Sequence, residues 1–272
     1  MKKFFMYVIV LVTLLFIGYT VYYFVQNNET ISSTLGEENQ IFLNVGETCD
    51  LPILWTKPYS STKVYDDENV EIGDKEVLSY DSTTKTLVAK AGGNATVTIT
   101  PSNTKFGPFM FSVVVGDGTT NFPYYIKNDE DLSNIGKTGH KFTLNDSYKL
   151  VKDIDLKSYS NWTPIGDSVN PFAGNFDGNN RIISNLTITS GSNVGLFGEI
   201  SSLSNITNLT LNKVSIKGEF DNAGGIVAVS RGTIRLCKVL SFDFENTKVD
   251  SNNGGIAGYC ENLSINNGSS DL

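Results

Sequence analysis

Three glycine-centred segments recur at a fixed spacing. They are Val194-Gly-Leu-Phe-Gly198, Gly224-Gly-Ile-Val-Ala228 and Gly254-Gly-Ile-Ala-Gly258, with central glycines at 195, 225 and 255. Two successive intervals of 30 residues mark a repeat architecture, in which a unit buries its inward side chains only when a neighbour stacks on it. A second pattern lies between the glycines: Ile183-Ser-Asn-Leu-Thr-Ile188, Ile206-Thr-Asn-Leu-Thr-Leu211 and Ile234-Arg-Leu-Cys-Lys-Val239. These runs are short and β-branched, and none carries the 3.6-residue apolar period of a helix. Residues 124–272 are therefore expected to form a right-handed parallel β-helix. Isoleucines and leucines would stack into internal ladders, and paired glycines would serve corners or close backbone approaches. Asn185 and Asn208 read as equivalent inward positions, an asparagine ladder that Leu236 interrupts. Of 28 asparagines, 17 fall in residues 161–272, as many turns needing left-handed backbone would require.

A second β-module precedes the repeat. Between residues 39 and 116 short period-2 runs alternate with turn residues: Ile41, Leu43 and Val45 before Gly46, then Ala95-Thr-Val-Thr-Ile-Thr100, then Phe109 to Val115. Strands of this length and spacing predict an antiparallel β-sandwich. Gly116-Asp-Gly-Thr-Thr-Asn-Phe-Pro123 supplies a linker, placed at 117–123, between the two modules.

The N-terminus sets the compartment. Met1-Lys2-Lys3 precedes an uncharged apolar run from Phe4 to Val25, long enough at about 1.5 Å per residue to cross a bilayer core of about 30 Å. Lysines before the run and Glu29, Glu37 and Glu38 after it place the N-terminus inside and the remainder outside. Residues 1–25 thus read as a transmembrane signal anchor and 26–38 as a polar flexible linker. The competing reading is a cleaved signal peptide, which would leave a secreted chain. The apolar run exceeds the length of a signal-peptide core and lacks a small-x-small cleavage site.

With 21 basic and 29 acidic residues the chain carries −8, and because residues 1–25 hold two lysines and no acid, the rest carries −10. No basic face is evident to meet phosphates, so nucleic acid is not an expected partner.

The residues of both modules resemble known families. Leu43-Asn-Val-Gly-Glu-Thr48, Leu87-Val-Ala-Lys-Ala-Gly-Gly-Asn-Ala-Thr-Val-Thr-Ile-Thr100 and Val113-Val-Val115 resemble the bacterial immunoglobulin-like domain of group 2. Such domains commonly serve as spacers or adhesion modules on bacterial surfaces. The glycine segments resemble the GLUG repeat. The stretch from Asp129 through Tyr148–Leu156, Trp162–Gly166 and Pro171–Gly178 is similar to the lead-in those repeats carry. This second resemblance implies a surface-exposed β-helix of the kind found in adhesins and in the N-terminal part of IgA1-type metallopeptidases. It does not bring the peptidase activity. A zinc peptidase of that kind needs two histidines one helical turn apart with a glutamate between them, and His140 is the only histidine here.

Candidate chemistry is sparse. Asp153 and Asp155 lie two apart and could pair for glycoside hydrolysis, although the same alternation describes a strand with one wet side. Asp177-Gly-Asn-Asn180 could offer oxygens to calcium, or form an ordinary hairpin turn. His140 reads as a surface residue. Cys237 and Cys260 occupy different rung positions, Cys260 matching Ser230, and read as thiols. Asn128 is placed to cap a short helix whose first turn holds Asp129, Glu130 and Asp131, with Leu132 and Ile135 against the first rung. No catalytic, cofactor or metal residue is assigned.

These features predict a non-catalytic surface protein anchored through residues 4–25, displaying a β-helix on an Ig-like spacer. Adhesion or binding to host or matrix glycans or proteins is the expected role. A further partner is expected over the last β-helix rung, where bare strand edges would otherwise favour aggregation. The alternatives are a polysaccharide-active β-helix enzyme, hydrolase or lyase, and an inert scaffold.

Overall fold

The computed structural model describes residues 30–33, 35, 39–56, 69–102, 107–261, 265–266 and 268–270. The apolar run 4–25 lies outside them, and among the described residues no helix is long and apolar enough to cross a membrane. The chain is almost entirely β and divides into two compact units, the first centred on Gly46–Lys90 and Asn94–Val114 and the second on Val115–Leu272.

The first unit is a two-sheet sandwich. One sheet orders the strands Gln40–Asn44, Phe109–Gly116, Gly93–Thr100 and Asn69–Ile72; the other orders Thr48–Asp50, Thr86–Ala89 and Leu78–Asp81. The alternation at 95–100 holds: Ala95, Val97 and Ile99 are buried while Asn94, Thr96 and Thr100 are exposed. Leu78, Leu87 and Val113 complete the core without solvent contact. Two expectations change. The first strand runs parallel to the last, since Ser112 N–H donates to Asn39 O and, further along both, Val45 N–H donates to Gly116 O. The sandwich is therefore not antiparallel throughout. The segment expected as a flexible linker also contributes a strand, Thr30–Ser33, antiparallel to Ile53–Thr56, because its β-branched and hydroxylated residues suit a ladder as well as a coil.

The second unit is a parallel β-solenoid. Coils begin at Ser147, Asn175, Asn205 and Thr233, preceded by Tyr124–Ile126 and followed by Ile265–Asn266, and these six strands form face I. Face II stacks Ile154–Asp155, Ile182–Ser184, Thr210–Gly218, Lys238–Asn246 and Ser269–Ser270. Face III stacks Asn193–Val194, Asn222–Gly224 and Asn252–Gly254; face IV stacks Phe197–Ile200, Val227–Ser230 and Ala257–Cys260. The coils pair in parallel on every face, and internal ladders of apolar residues form: Phe176–Ile206–Ile234 on face I and Ile183–Leu211–Val239 on face II.

This register corrects the sequence alignment. Phe176, not Ile183, is the counterpart of Ile206; Ile183 pairs with Leu211, one face further on. The spelling Ile-x-Asn-Leu-Thr recurs on two faces because each turns a corner at a left-handed asparagine, Asn185 at φ 62° and Asn208 at φ 54°. Neither asparagine is inward. The counterparts of Asn208 and Asn185 in later coils, Leu236 and Lys213, hold the same left-handed geometry at φ 54° and 55°.

The repeated glycines sit where face III turns into face IV. A Cβ on Gly195 would lie 2.6 Å from Gly224 O, and one on Gly225 would lie 2.5 Å from Gly255 O. Close coil-to-coil approach therefore explains the 30-residue signal. Along face III the first interval is 29 residues, Asn193 to Asn222, and the second is 30, Asn222 to Asn252. The corner absorbs the odd residue.

The start of the solenoid is closed as expected. Helix α1, Asp129–Ser133, begins at Asn128, whose side chain accepts from Asp131 N–H at 2.7 Å. Leu132 and Ile135 join the core, beside an aromatic series in which Phe142 meets Tyr148 edge-on and Phe172 meets Phe197 at 5.1 Å.

Candidate functional site

Each acid singled out in the sequence has a structural partner. Asp153 Oδ1 accepts from Ile182 N–H at 2.9 Å, across one coil. Asp155 Oδ1 accepts from the Asn185 amide at 2.7 Å and from Lys157 N–H at 3.0 Å. These bonds, the amide first, hold the Asp155 carboxyl below its ordinary 3.8. Asp177 Oδ1 accepts from Asn179 N–H and from the Asn208 amide, both at 2.9 Å. The 177–180 segment is thus a solenoid corner joining faces I and II rather than a hairpin, and among the described residues no group of three or more His, Cys, Asp or Glu is placed to hold a metal ion.

His140 is exposed at the rim of a hollow of about 600 Å³ lined by the 133–145 and 163–170 segments. Cys237 is buried, which pushes its thiol up to about 11; Cys260 is half-buried opposite Ser230, as expected, and the two form no disulfide.

Asparagine ladders do exist, on outward positions. On face III the Asn252 amide donates to Asn222 Oδ1 at 2.8 Å, Asn222 to Asn193 Oδ1 at 2.7 Å, and Asn193 to Glu199 Oε1 at 2.9 Å. Glu199 is buried, and Arg231 completes it with a 2.7 Å bond to Oε2 while reaching Glu261 at 2.5 Å. A buried carboxylate with both oxygens filled is a stapling element between coils.

A groove of about 530 Å³ lies along the outer side of face I. Its floor is two rows of side chains that alternate with the inward ladder. One row places Ser147, Asn175, Asn205 and Thr233 in register; the other places Tyr125, Lys149, Asp177, Thr207 and Arg235. Within the first row the Asn205 amide donates to Asn175 Oδ1 at 2.9 Å and Asn175 donates to Ser147 Oγ at 3.1 Å. In the second row Lys149 stands 3.9 Å from Asp177 Oδ2. Arg235 is exposed, and its guanidinium has no partner among the described residues. The 120–123 loop forms one wall, held by Asp117, which accepts from Thr119 N–H and Oγ1.

Only Asp177 of the three candidate acids reaches this groove, where it is the sole carboxylate among the lining residues. Glycoside hydrolysis by either stereochemical course uses two carboxyl groups across the scissile bond. Lys149, Asn175, Asn205, Thr207 and Arg235 were not singled out in the sequence. Their signal is weak: each sits one position from an inward residue, so it can be recognised only once the register between coils is known.

Comparison with known proteins adds two partial likenesses. The chain is 35% identical over 118 residues to halomucin of Haloquadratum walsbyi, covering 41% of this chain and 1% of that protein. It is 33% identical over 130 residues to a protein of Evansella cellulosilytica named as a Gly-rich membrane protein, covering 44% of this chain and 14% of that protein. The chain thus spans a small part of both relatives. No protein-family model matches it, and no solved structure matches it.

Proposed function

We propose that this chain is a membrane-anchored extracellular surface protein that displays a GLUG-type β-solenoid on an Ig-like spacer and binds a ligand without chemically altering it. The groove on face I carries the reading. It is a continuous polar surface spanning several coils, with amides, hydroxyls and an exposed guanidinium that has no partner among the described residues. The tying of Asp153 and Asp155 into coil-to-coil hydrogen bonds supports binding over catalysis. The name of the Evansella relative and the uninterrupted apolar run 4–25 support a membrane anchor. The group 2 Ig-like resemblance supports a spacer role for the sandwich.

The test is a screen of the full chain in detergent against immobilised glycans and matrix proteins, with product analysis of every bound polysaccharide. Saturable binding with no shortened product is the expected result. Cleavage of a polysaccharide would overturn the non-catalytic part, and absence of binding to any probe would leave an inert scaffold. Protease treatment of intact cells tests the topology: residues beyond the anchor should be removed, and full protection would refute external display.

A further inference from the structure

We propose that the face I groove takes an anionic glycan segment, with Arg235 holding its carboxylate or sulfate group. This inference rests on the ligand-binding reading and names the ligand class for that same surface.

The lining selects by exclusion and then by charge. The groove's aromatic residues do not offer rings to a ligand: Tyr148 is 1% exposed, Phe176 0% and Tyr125 5%, all turned into packing. Protein hot spots centre on accessible Trp, Tyr and Arg in desolvated pockets, and of these the groove offers Arg235 alone, with no accessible aromatic anchor beside it. A neutral sugar that binds by stacking finds no platform either. What remains accessible are hydrogen-bonding groups and ions.

The ionic inventory leans positive within a chain that carries −8. The groove holds Lys149, Arg235 and one acid, Asp177. Asp177 has one oxygen filled by Asn179 and Asn208 and faces Lys149 with the other, so the Lys149 charge is largely answered within the row. Arg235 is not. A guanidinium presents five N–H donors in a planar fork that matches a carboxylate or sulfate better than a hydroxyl. It lies two rungs from Asp177 across Thr207, about 10 Å at the usual strand spacing, which separates the anion-binding end from the acidic one.

The neighbouring row supplies the hydroxyl-binding part. Asn175 and Asn205 each spend one amide N–H on the ladder, leaving the second N–H of each for a ligand. Repeating amides at rung spacing suit a polymer laid along the solenoid axis, with its hydroxyls on the amides and one acidic substituent on Arg235. Nucleic acid, the other common polyanion, would need several phosphate-neutralising cations, and the groove has one uncommitted cation inside a strongly acidic chain.

The test measures binding of the full chain in detergent to polygalacturonate, dextran sulfate and unsubstituted dextran at low and high salt. At least one of the two polyanions should bind and weaken with salt, dextran should not bind, and preference between the two distinguishes a carboxylate from a sulfate ligand. Arg235→Gln should lower polyanion affinity by at least about tenfold, and Asn205→Ala by about threefold, as expected for charged and neutral hydrogen bonds respectively. Lys217→Gln, on face II and paired with Asp243, should leave affinity unchanged. Circular dichroism of each variant establishes that the fold is retained. Equal binding of dextran and the polyanions, or wild-type affinity in Arg235→Gln, would overturn the inference. If neither polyanion binds but the wider screen finds another ligand, the anionic assignment falls while the display reading stands; if nothing binds in either experiment, both fall.

Discussion

Gly46 of the sandwich and the repeated glycines of the solenoid do different work. In the sandwich, Gly46 turns the chain at φ +85° with nothing within 4 Å of the position a side chain would take. In the solenoid, a Cβ on Gly195 or Gly225 would lie only 2.6 or 2.5 Å from a carbonyl oxygen of the next coil. The first glycine is required by a torsion angle and the second by lack of space. The burial patterns divide the same way. The strand Gly93–Thr100 alternates between core and water, whereas all four residues of Val227–Ser230 are buried. The strand Gly93–Thr100 has one dry side; the face IV strands Phe197–Ile200 and Val227–Ser230 have two, so errors there have nowhere to relax.

Core truncation should break this comparison open most widely. Phe197→Ala removes a ring packed against Phe172 and Phe176 and should cost about 3–5 kcal/mol, against about 2–5 kcal/mol for Ile99→Ala in the sandwich. Hydrogen exchange should separate the two further: faster exchange in the coils before and after Phe197, but only in the sandwich sheets for Ile99. Next in size are the glycines. Gly225→Ala should destabilise by about 3 kcal/mol through overpacking, and Gly46→Ala by about 1 kcal/mol through its left-handed torsion. Denaturant titration gives both values, and equal costs would refute the distinction between space and torsion.

A smaller effect runs in the opposite direction. Leu236 holds a left-handed torsion of 54° while 49% exposed, at the corner where the preceding coil has Asn208. Leu236→Asn should stabilise the solenoid by about 1 kcal/mol in the same titration.

The last effect is a matter of titration. Asp155 in the solenoid is held below 3.8 by the Asn185 amide and then by Lys157 N–H; Asp81 in the sandwich is held below it by the N–H groups of Thr83 and Thr84. Both sets of bonds favour the ionised form, so their stabilisation is complete above pH 3.8 and is lost as pH falls through the lower folded values. Asn185→Ala should move the Asp155 titration back towards 3.8 and leave Asp81 in place, as followed by carboxyl-carbon NMR.

The architecture was legible in the sequence wherever a residue type answers to a local demand. The alternation at 95–100, the Asn128 cap and the glycines at 195, 225 and 255 all belong to this group. Positions that depend on register were not legible. Asn185 and Asn208 sit in near-identical local sequences because both turn a left-handed corner, yet they occupy different faces. Of the ladders that form, Asn193–Asn222–Asn252 carries the local spelling Asn-x-Gly in every coil, beside the repeated glycines, whereas Asn175–Asn205 carries no shared flanking motif and is recognisable only from the coil-to-coil pairing. The groove was hidden for the same reason. Its residues are the outward half of face I, and nothing in Lys149, Thr207 or Arg235 alone distinguishes them from ordinary surface.

Six asparagine amide bonds between coils share a direction, while that of Asn161, which donates to Ser190 Oγ on the following coil, runs the other way. Asn175, Asn185, Asn205, Asn208, Asn222 and Asn252 each donate a side-chain N–H to an oxygen on the coil before their own. A folded coil therefore presents acceptors to whatever follows it, and the following coil arrives with the donors. For a coil added at the C-terminal side this is a directional template: its amides meet oxygens already fixed in place by the coil before it.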